Sequence, residues 1–176
     1  EGYFDVIAIL SIGIPCVAIS GLALSLHHIN LLKKYVSEVT LCFDQDSAGV
    51  VVRKKALMKF LNNGFFVKDM KLSQKDPDIM LRIGSAKEII DSYNGARDAV
   101  QVEIENTLSK SLGSVSNRIQ GLQNIIPFLF AHPDELVNRQ YIKLAAKLFQ
   151  EDETAFYKYT KTLKIDKSES FSKNFD

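Results

Sequence analysis

The sequence is short of net charge and of cysteine, and each shortage excludes a class of protein. With 22 basic and 21 acidic residues the formal net charge is only +1. No electrostatic field of the whole molecule therefore attracts nucleic acid, and any such contact must be local or use a piece outside this sequence. The two cysteines, Cys16 and Cys42, lie in apolar runs without zinc-site spacing. We interpret them as buried free thiols of a reducing compartment rather than as a disulfide.

Charge is also missing locally, because no charged residue stands between Val6 and Leu26. The run is long enough for a membrane span, which needs about 20 apolar residues. Glycines, a proline and serines interrupt it, so we predict instead a helix at residues 5–12, a turn, and a short strand at residues 16–19. Strands buried on both faces of an α/β sheet are commonly this apolar.

The sequence also lacks an initiator methionine and a basic targeting segment, and it is patterned from its first residue. We therefore expect a fragment of a longer protein. A processed mature N-terminus is the alternative.

Strand and helix patterns alternate in the first half of the chain and give way to helices in the second. Strands are predicted at residues 39–43 and 65–72. Helices are predicted at residues 48–62, from residue 79, at 85–93, and then at 96–111, 115–130, 133–149 and 154–163. We predict three parts: an α/β domain at residues 1–93, a helical subdomain at 94–165, and a polar linker at 166–176.

Acidic residues come in pairs at three places that follow strands or begin the chain. The pairs are Glu1 with Asp5, Asp44 with Asp46, and Asp76 with Asp78. Ligands collect at the carboxyl ends of strands in α/β sheets, and carboxylates gathered there repel one another unless a cation compensates. Each pair alone also fits a turn or a helix cap. Their repetition, with oxygen donors only, indicates a Mg²⁺ or Mn²⁺ site.

These acids stand within motifs that resemble those of one family. Residues 1–6, EGYFDV, resemble the EGYxDV motif that opens the TOPRIM fold of bacterial DnaG-type primases. Residues 44–49, DQDSAG, are similar to that family's DxDxAG, and residues 75–78, KDPD, to its DPD loop. Residues 96–99 and 138–145 resemble its helical subdomain. Residues 20–23 depart from the family's Ser-Leu-Gly-Thr stretch, which puts their contacts with nucleotides in doubt.

The resemblance implies a TOPRIM-type, mainly parallel sheet flanked by helices, whose first strand, before Glu1, is missing, followed by an all-helical subdomain. It implies an enzyme that makes short RNA primers on single-stranded DNA from ribonucleoside triphosphates. Glu1, Asp44 and Asp46 would be catalytic ligands of two or more Mg²⁺ or Mn²⁺ ions. Further acidic-pocket candidates are Asp5, Asp76 and Asp78.

The same resemblance implies a cytoplasmic protein of the bacterial replication fork, with no membrane contact. Zinc would be confined to a missing N-terminal domain, and a missing C-terminal domain would bind the replicative helicase. Two alternatives stay open: a TOPRIM nuclease or topoisomerase fragment, and a non-catalytic DNA-binding TOPRIM module.

Cations on the helix after residues 44–49 are candidates for phosphate contacts. They are Arg53, Lys54, Lys55 and Lys59. An ordinary solvated helix face explains the same pattern, since charge there needs no partner.

Overall fold

The computed structural model describes residues 2–19, 24–43, 47–74 and 76–162. The chain divides into two compact units, Glu1–Ala99 and Val100–Asp176. The predicted domain boundary at residues 93 and 94 and the linker at 166–176 stay predictions, and that linker lies outside the described residues.

The first unit is of the mixed α/β class. Its elements in chain order are α1 (Tyr3–Ser11), α2 (Leu26–Leu32), β1 (Glu38–Leu41), α3 (Ser47–Asn62), β2 (Phe66–Asp69), α4 (Pro77–Arg82), α5 (Ala86–Asn94) and β3 (Arg97–Asp98). The described strands form one sheet in the order β1-β2-β3. Four residue pairs join β1 to β2 in parallel, and two join β2 to β3 antiparallel. The predicted α/β class is confirmed.

Local sequence signals explain where several of these elements begin and end. The Ser25 hydroxyl accepts the N–H of His28 at 3.2 Å and starts α2, as serine commonly does at a helix N-terminus. Helix α3 ends at Asn62, and Gly64, two residues later, has a left-handed φ of 80°. Glycine adopts it without the steric cost that a Cβ imposes.

Two predictions about strands are wrong. Residues 16–19 were expected to form a strand, but they have neither helical nor strand structure. Strands were also expected to be absent after residue 94, yet β3 pairs with Lys68 and Asp69. Both errors have one cause: a strand exists only where a partner strand offers hydrogen bonds, and distant residues supply that partner.

The core of the first unit packs the helices against the sheet. Its buried side chains include Ile9 of α1, Met70 after β2, Met80 of α4 and Ile89 of α5. Helix α1 packs against α4. Cys16 and Cys42 form no disulfide, as predicted, but both are only half-buried at the edge of this core, so the predicted burial is corrected.

The elements described in the second unit are all helices. It comprises α6 (Ala99–Lys110), α7 (Val115–Leu129), α8 (Glu135–Phe149) and α9 (Glu153–Thr162), with α6 starting at the unit boundary. Helices α7, α8 and α9 pack on one another. The apolar side chains between them include Ile125, Leu129, Ile142, Phe149 and Phe156, all at most 1% exposed.

Across the ranges described, no helix combines the length and the apolar character needed to cross a membrane.

Candidate metal site and its surroundings

The structure fixes the chain on both sides of the predicted metal ligands. Strand β1 ends at Leu41 and α3 begins at Ser47, so Asp44 and Asp46 belong to the connection that leaves the carboxyl end of β1. Asp44, Asp46 and Glu1 themselves lie outside the described residues, and their assignment as ligands stays a prediction.

The third acidic pair follows the neighbouring strand. Strand β2 ends at Asp69, and the loop after it leads to Asp76 and to Asp78 in the first turn of α4. Because β1 and β2 are parallel neighbours, their carboxyl ends lie at the same edge of the sheet, where α/β proteins bind ligands. The topology therefore sends both acidic connections out from one edge.

The three described candidate acids each serve the start of their own helix. The Asp5 carboxylate accepts the N–H of Gly2 at 3.1 Å. Asp76 caps α4 by accepting the N–H of Ile79 at 2.8 Å. Asp78 forms an ion pair with Arg82, one turn along α4, at 2.7 Å. Within the described part of the chain no three His, Cys, Asp or Glu side chains are grouped closely enough to hold a metal.

These contacts limit what the described acids can donate to a cation. The carboxylates of Asp5 and Asp76 accept hydrogen bonds from backbone N–H groups, and that of Asp78 pairs with Arg82. These three residues alone therefore do not form a metal site. The full donor set fits a hard divalent cation by its chemistry, because it consists of oxygen ligands alone. Glu1, Asp44 and Asp46 as its main ligands stay a prediction.

The candidate phosphate-binding cations differ in their contacts. The Arg53 guanidinium bonds the Asp69 carboxylate at 3.1 Å, with the two side chains 12% and 6% exposed. The Lys59 ammonium donates to the Leu24 carbonyl at 2.7 Å. These contacts give Arg53 and Lys59 structural roles within the first unit. Lys54 and Lys55 are half-buried, and phosphate binding by all four stays a prediction.

Asp69 was not singled out from the sequence, although the sequence carries a signal for it. Phe65, just before β2, and Val67 and Asp69 within it are all buried, as a period of two requires of residues on one face. An aspartate in phase with buried apolar residues needs a partner. Arg53, one strand–helix unit earlier, provides it at the sheet edge that the acidic connections leave.

The motif at residues 138–145 has a structural role in the second unit. The Asn138 side chain accepts the N–H of His132 at 3.1 Å and donates to its carbonyl at 2.8 Å. The bonds fasten the loop before α8 to the helix itself. Tyr141 and Ile142 are buried while Arg139 and Gln140 are exposed, so the motif's apolar members fill the core.

Arg118 joins the start of α7 to the end of α8. Its guanidinium donates to the carbonyl of Phe149 and to the Glu151 carboxylate at 3.3 Å. A cation at a helix C-terminus is favourable because unsatisfied carbonyls concentrate negative charge there.

Comparison with known proteins identifies the class first. Residues 1–81 match the protein family described as Toprim-like, in agreement with the small mixed sheet and its flanking helices. The described fold is that of a TOPRIM domain followed by helices.

The curated and solved relatives described next are DNA primases. A DNA primase of Campylobacter jejuni is 29% identical over 156 residues, which cover 87% of this chain and 26% of that protein. A DNA primase domain of Pseudomonas aeruginosa shares the fold with a TM-score of 0.77 at 24% identity, covering 90% of this chain and 51% of that one. A DnaG primase catalytic domain bound to single-stranded DNA gives 0.73 at 24% identity, covering 88% and 51%.

By sequence the chain is similar to bacterial DNA primases, and it shares the fold of the DnaG catalytic core. It spans about a quarter of the length of the curated relatives that it matches.

Proposed function

We propose that this chain is part of the catalytic core of a bacterial DNA primase that synthesises short RNA primers on single-stranded DNA. The observation that carries the proposal is the exit of two acidic connections from the same edge of the sheet, after the parallel strands β1 and β2. The similarity to DNA primases extends from this edge into the helical unit, since it covers 87% of the chain.

In this proposal Glu1, Asp44 and Asp46 hold Mg²⁺ or Mn²⁺, two or more ions in number. Such ions, when bound with a nucleoside triphosphate, neutralise the charge that develops on its phosphates. In the same proposal Glu1 also assists proton transfer from the attacking hydroxyl. Asp76 and Asp78 add negative charge at the same edge while their hydrogen bonds keep the start of α4 in place.

The substrates in this proposal are ribonucleoside triphosphates and a single-stranded DNA template. One of the solved relatives is bound to single-stranded DNA, which supports the template assignment. Because this chain's net charge is only +1, most of the template affinity is expected from parts of the full-length protein outside it. The replicative helicase, as a partner bound by a further domain, and a cytoplasmic location at the replication fork complete the proposal.

The test is to remove one carboxylate from the full-length protein that contains this chain. Asp44→Asn should nearly abolish incorporation of labelled ribonucleotides, because a ligand that stabilises charge in the transition state acts on the rate. DNA affinity measured by anisotropy should change little, since it comes mainly from Lys and Arg contacts to phosphates.

The matched control is Asp91→Asn, which removes one exposed carboxylate from α5 and should leave primer synthesis unchanged. Metal-dependent nicking of duplex DNA without ribonucleotide incorporation would favour a TOPRIM nuclease or topoisomerase. DNA binding with neither activity would favour a non-catalytic module. An Asp44→Asn protein that makes primers at the parental rate would overturn the ligand assignment.

A further inference from the structure

Helix α3, which packs on β2, is held there by apolar side chains in its C-terminal half. Leu57 and Leu61 are both 0% exposed. The rings of Phe60 and of Phe65, the residue just before β2, meet edge to face with their centroids 5.2 Å apart. Close packing of this kind holds that half of the helix in one place, because moving it would open a cavity. This half is the one farther along the chain from the predicted metal ligands.

The N-terminal half of α3 has less apolar packing and contains a buried ion pair. Val50 and Val51 are 42% and 53% exposed. They are followed by Arg53, whose guanidinium bonds the carboxylate of Asp69, the last residue of β2. Bonds between charged groups are strong and geometrically specific, and burial protects this one from the screening that weakens exposed pairs. The pair therefore fixes the first turns of α3 against the carboxyl end of β2.

Two acidic connections begin or end where this pair is placed. The connection that contains Asp44 and Asp46 runs directly into α3, and the connection that contains Asp76 leaves β2 after Asp69. Arg53 lies about 9 Å along the helix axis from the first residue of α3. A movement of these first turns would displace one acidic connection relative to the other. Such a displacement matters to Mg²⁺, because this ion requires near-ideal octahedral geometry.

We propose that Arg53 and Asp69 are positioning residues for the predicted metal site. Neither side chain is a ligand: their bond holds the two acidic connections at the spacing that a divalent cation requires. The inference rests on the proposed function, since it takes Asp44 and Asp46 as ligands of Mg²⁺ or Mn²⁺. The guanidinium side chain, only 12% exposed, offers little surface to a phosphate, so its effect on the site is expected to come from the bond to Asp69.

An ion pair can also affect a metal site through its charges alone, and the two explanations predict different signs. By charge alone, removal of the Asp69 carboxylate would weaken cation binding, whereas removal of the Arg53 guanidinium would strengthen it. If the pair positions the site, both removals weaken cation binding, because either one breaks the same bond.

The test is the Mn²⁺ affinity of the full-length protein that contains this chain, measured by isothermal titration calorimetry at a temperature at which all variants are folded. Arg53→Met and Asp69→Leu should each weaken binding by about tenfold or more, the loss typical of changing a residue that orients metal ligands. The variant with both changes has the parental net charge and should show a similar loss, although an apolar pair can replace a buried ion pair without loss of stability. Arg53→Lys, which keeps a cation able to bond Asp69, should retain most of the affinity.

Two controls separate positioning from lost stability and from the function on which it rests. Leu129→Ala removes a fully buried side chain from the second unit and should leave the Mn²⁺ affinity unchanged. Asp44→Asn should abolish Mn²⁺ binding. A parent protein that binds no Mn²⁺, or an Asp44→Asn protein that binds it as tightly as the parent, would overturn the predicted metal site and this inference with it.

The remaining outcomes concern the positioning role alone. Parental affinity in Arg53→Met and Asp69→Leu would overturn it. Affinities that move in opposite directions in these two variants would replace it with an effect of charge. An equal loss in Leu129→Ala would show that the affinity follows stability in general and not this bond.

Discussion

The two units bury their apolar side chains to different degrees. Among the described residues, sixteen large apolar side chains are exposed in Glu1–Ala99 and five in Val100–Asp176, a ratio that the greater length of the first unit does not explain. In the second unit, neighbouring helices cover one another's apolar faces. In the first unit, apolar side chains stay exposed along α1, where Tyr3, Phe4 and Ile7 are each more than 60% exposed. A helical unit can cover its apolar side chains with helices that are close in sequence, whereas a sheet needs strands that are distant in sequence.

The comparison is tested most strongly by deleting the same side chain from each unit. Leu129 of α7 is 0% exposed and Leu41 of β1 is 4% exposed. Leu129→Ala should reduce the free energy of unfolding by about 3–5 kcal/mol, because it leaves a new cavity in a close-packed core. Leu41→Ala should cost about 2–3 kcal/mol, because its side chain already lines a groove and less packing is lost.

Urea unfolding followed by far-UV circular dichroism measures both changes, with exposed Val50→Ala of α3 as a control that should have little effect. Equal costs at the two positions would mean that the groove is packed as well as the helical core.

The two units also differ in how deeply an ion pair is buried, and this difference predicts the next largest effect on stability. Arg53 and Asp69 in the first unit are 12% and 6% exposed, whereas Arg118 and Glu151 in the second are 41% and 36% exposed. Asp69→Ala should destabilise the protein by about 2–4 kcal/mol, because it leaves the Arg53 charge buried without this carboxylate. Glu151→Ala should cost less than about 1 kcal/mol, since solvent screens the exposed pair.

Thermal unfolding of both variants, with the double variant Arg53→Met and Asp69→Leu, checks the argument. The double change should recover much of the stability lost by Asp69→Ala. If Glu151→Ala proved as costly as Asp69→Ala, burial would not be what separates the two pairs.

Close helix packing in the second unit predicts a smaller effect at Gly121. A Cβ placed there would lie 1.9 Å from the Ser111 hydroxyl oxygen, which donates to the Thr107 carbonyl at 2.6 Å. Gly121→Ala should therefore destabilise by about 1–3 kcal/mol through overpacking, and adding Ser111→Ala should relieve part of the loss. Exposed Asn124→Ala on the same helix is the control. A neutral Gly121→Ala would show that this unit is packed more loosely than its burial suggests.

The smallest expected effect depends on pH. The Asp152 carboxylate starts α9 by accepting the Thr154 N–H at 2.7 Å. Hydrogen bonds from the Thr154 side chain and then its backbone lower the pKa of Asp152. Because the folded-state pKa lies below the unfolded one, the stabilisation is present above the unfolded pKa and disappears as pH falls through the folded value.

Melting temperatures of the parent and of Asp152→Ala should therefore differ at neutral pH and converge as the pH falls through the lowered folded-state pKa of Asp152. Thr154→Val, which keeps the backbone N–H, should show an intermediate difference. A difference that stays constant over this range would exclude the carboxylate as its source.

The helices were predictable because their signals are local. Ser114 accepts the N–H of Asn117 at 3.1 Å and begins α7 within one residue of its predicted start. Asp134 does the same for α8 through the N–H of Leu136. Both caps can be read from a polar residue before an apolar period. The short β3 could not be found in this way, because two residues carry no period of their own.

Of the candidate site, the sequence predicted only which edge of the sheet the acidic connections leave. The order of strands and acids along the chain implies that acidic connections leave one edge of the sheet, and the parallel pairing of β1 and β2 agrees with it. The helix cap by Asp76 and the ion pair of Asp78 with Arg82 could also be predicted from the sequence. An Asp-Pro pair is typical of a helix start, and residues four apart on a helix are neighbours. The Arg53–Asp69 pair was missed because it joins residues from different elements.

The boundary between the units is buried, which affects where proteases cleave the protein and where it can be truncated. Ala99 and Val100, which flank it, are both 0% exposed, whereas proteases attack exposed and weakly bonded backbone. Leu112, in the turn between α6 and α7, is 69% exposed and precedes Gly113 at a φ of 103°. Limited digestion should therefore nick this turn, inside the helical unit, sooner than it cuts at residues 99 and 100. Truncations intended to isolate either unit are poorly placed at residue 99, since they would expose a fully buried stretch of backbone.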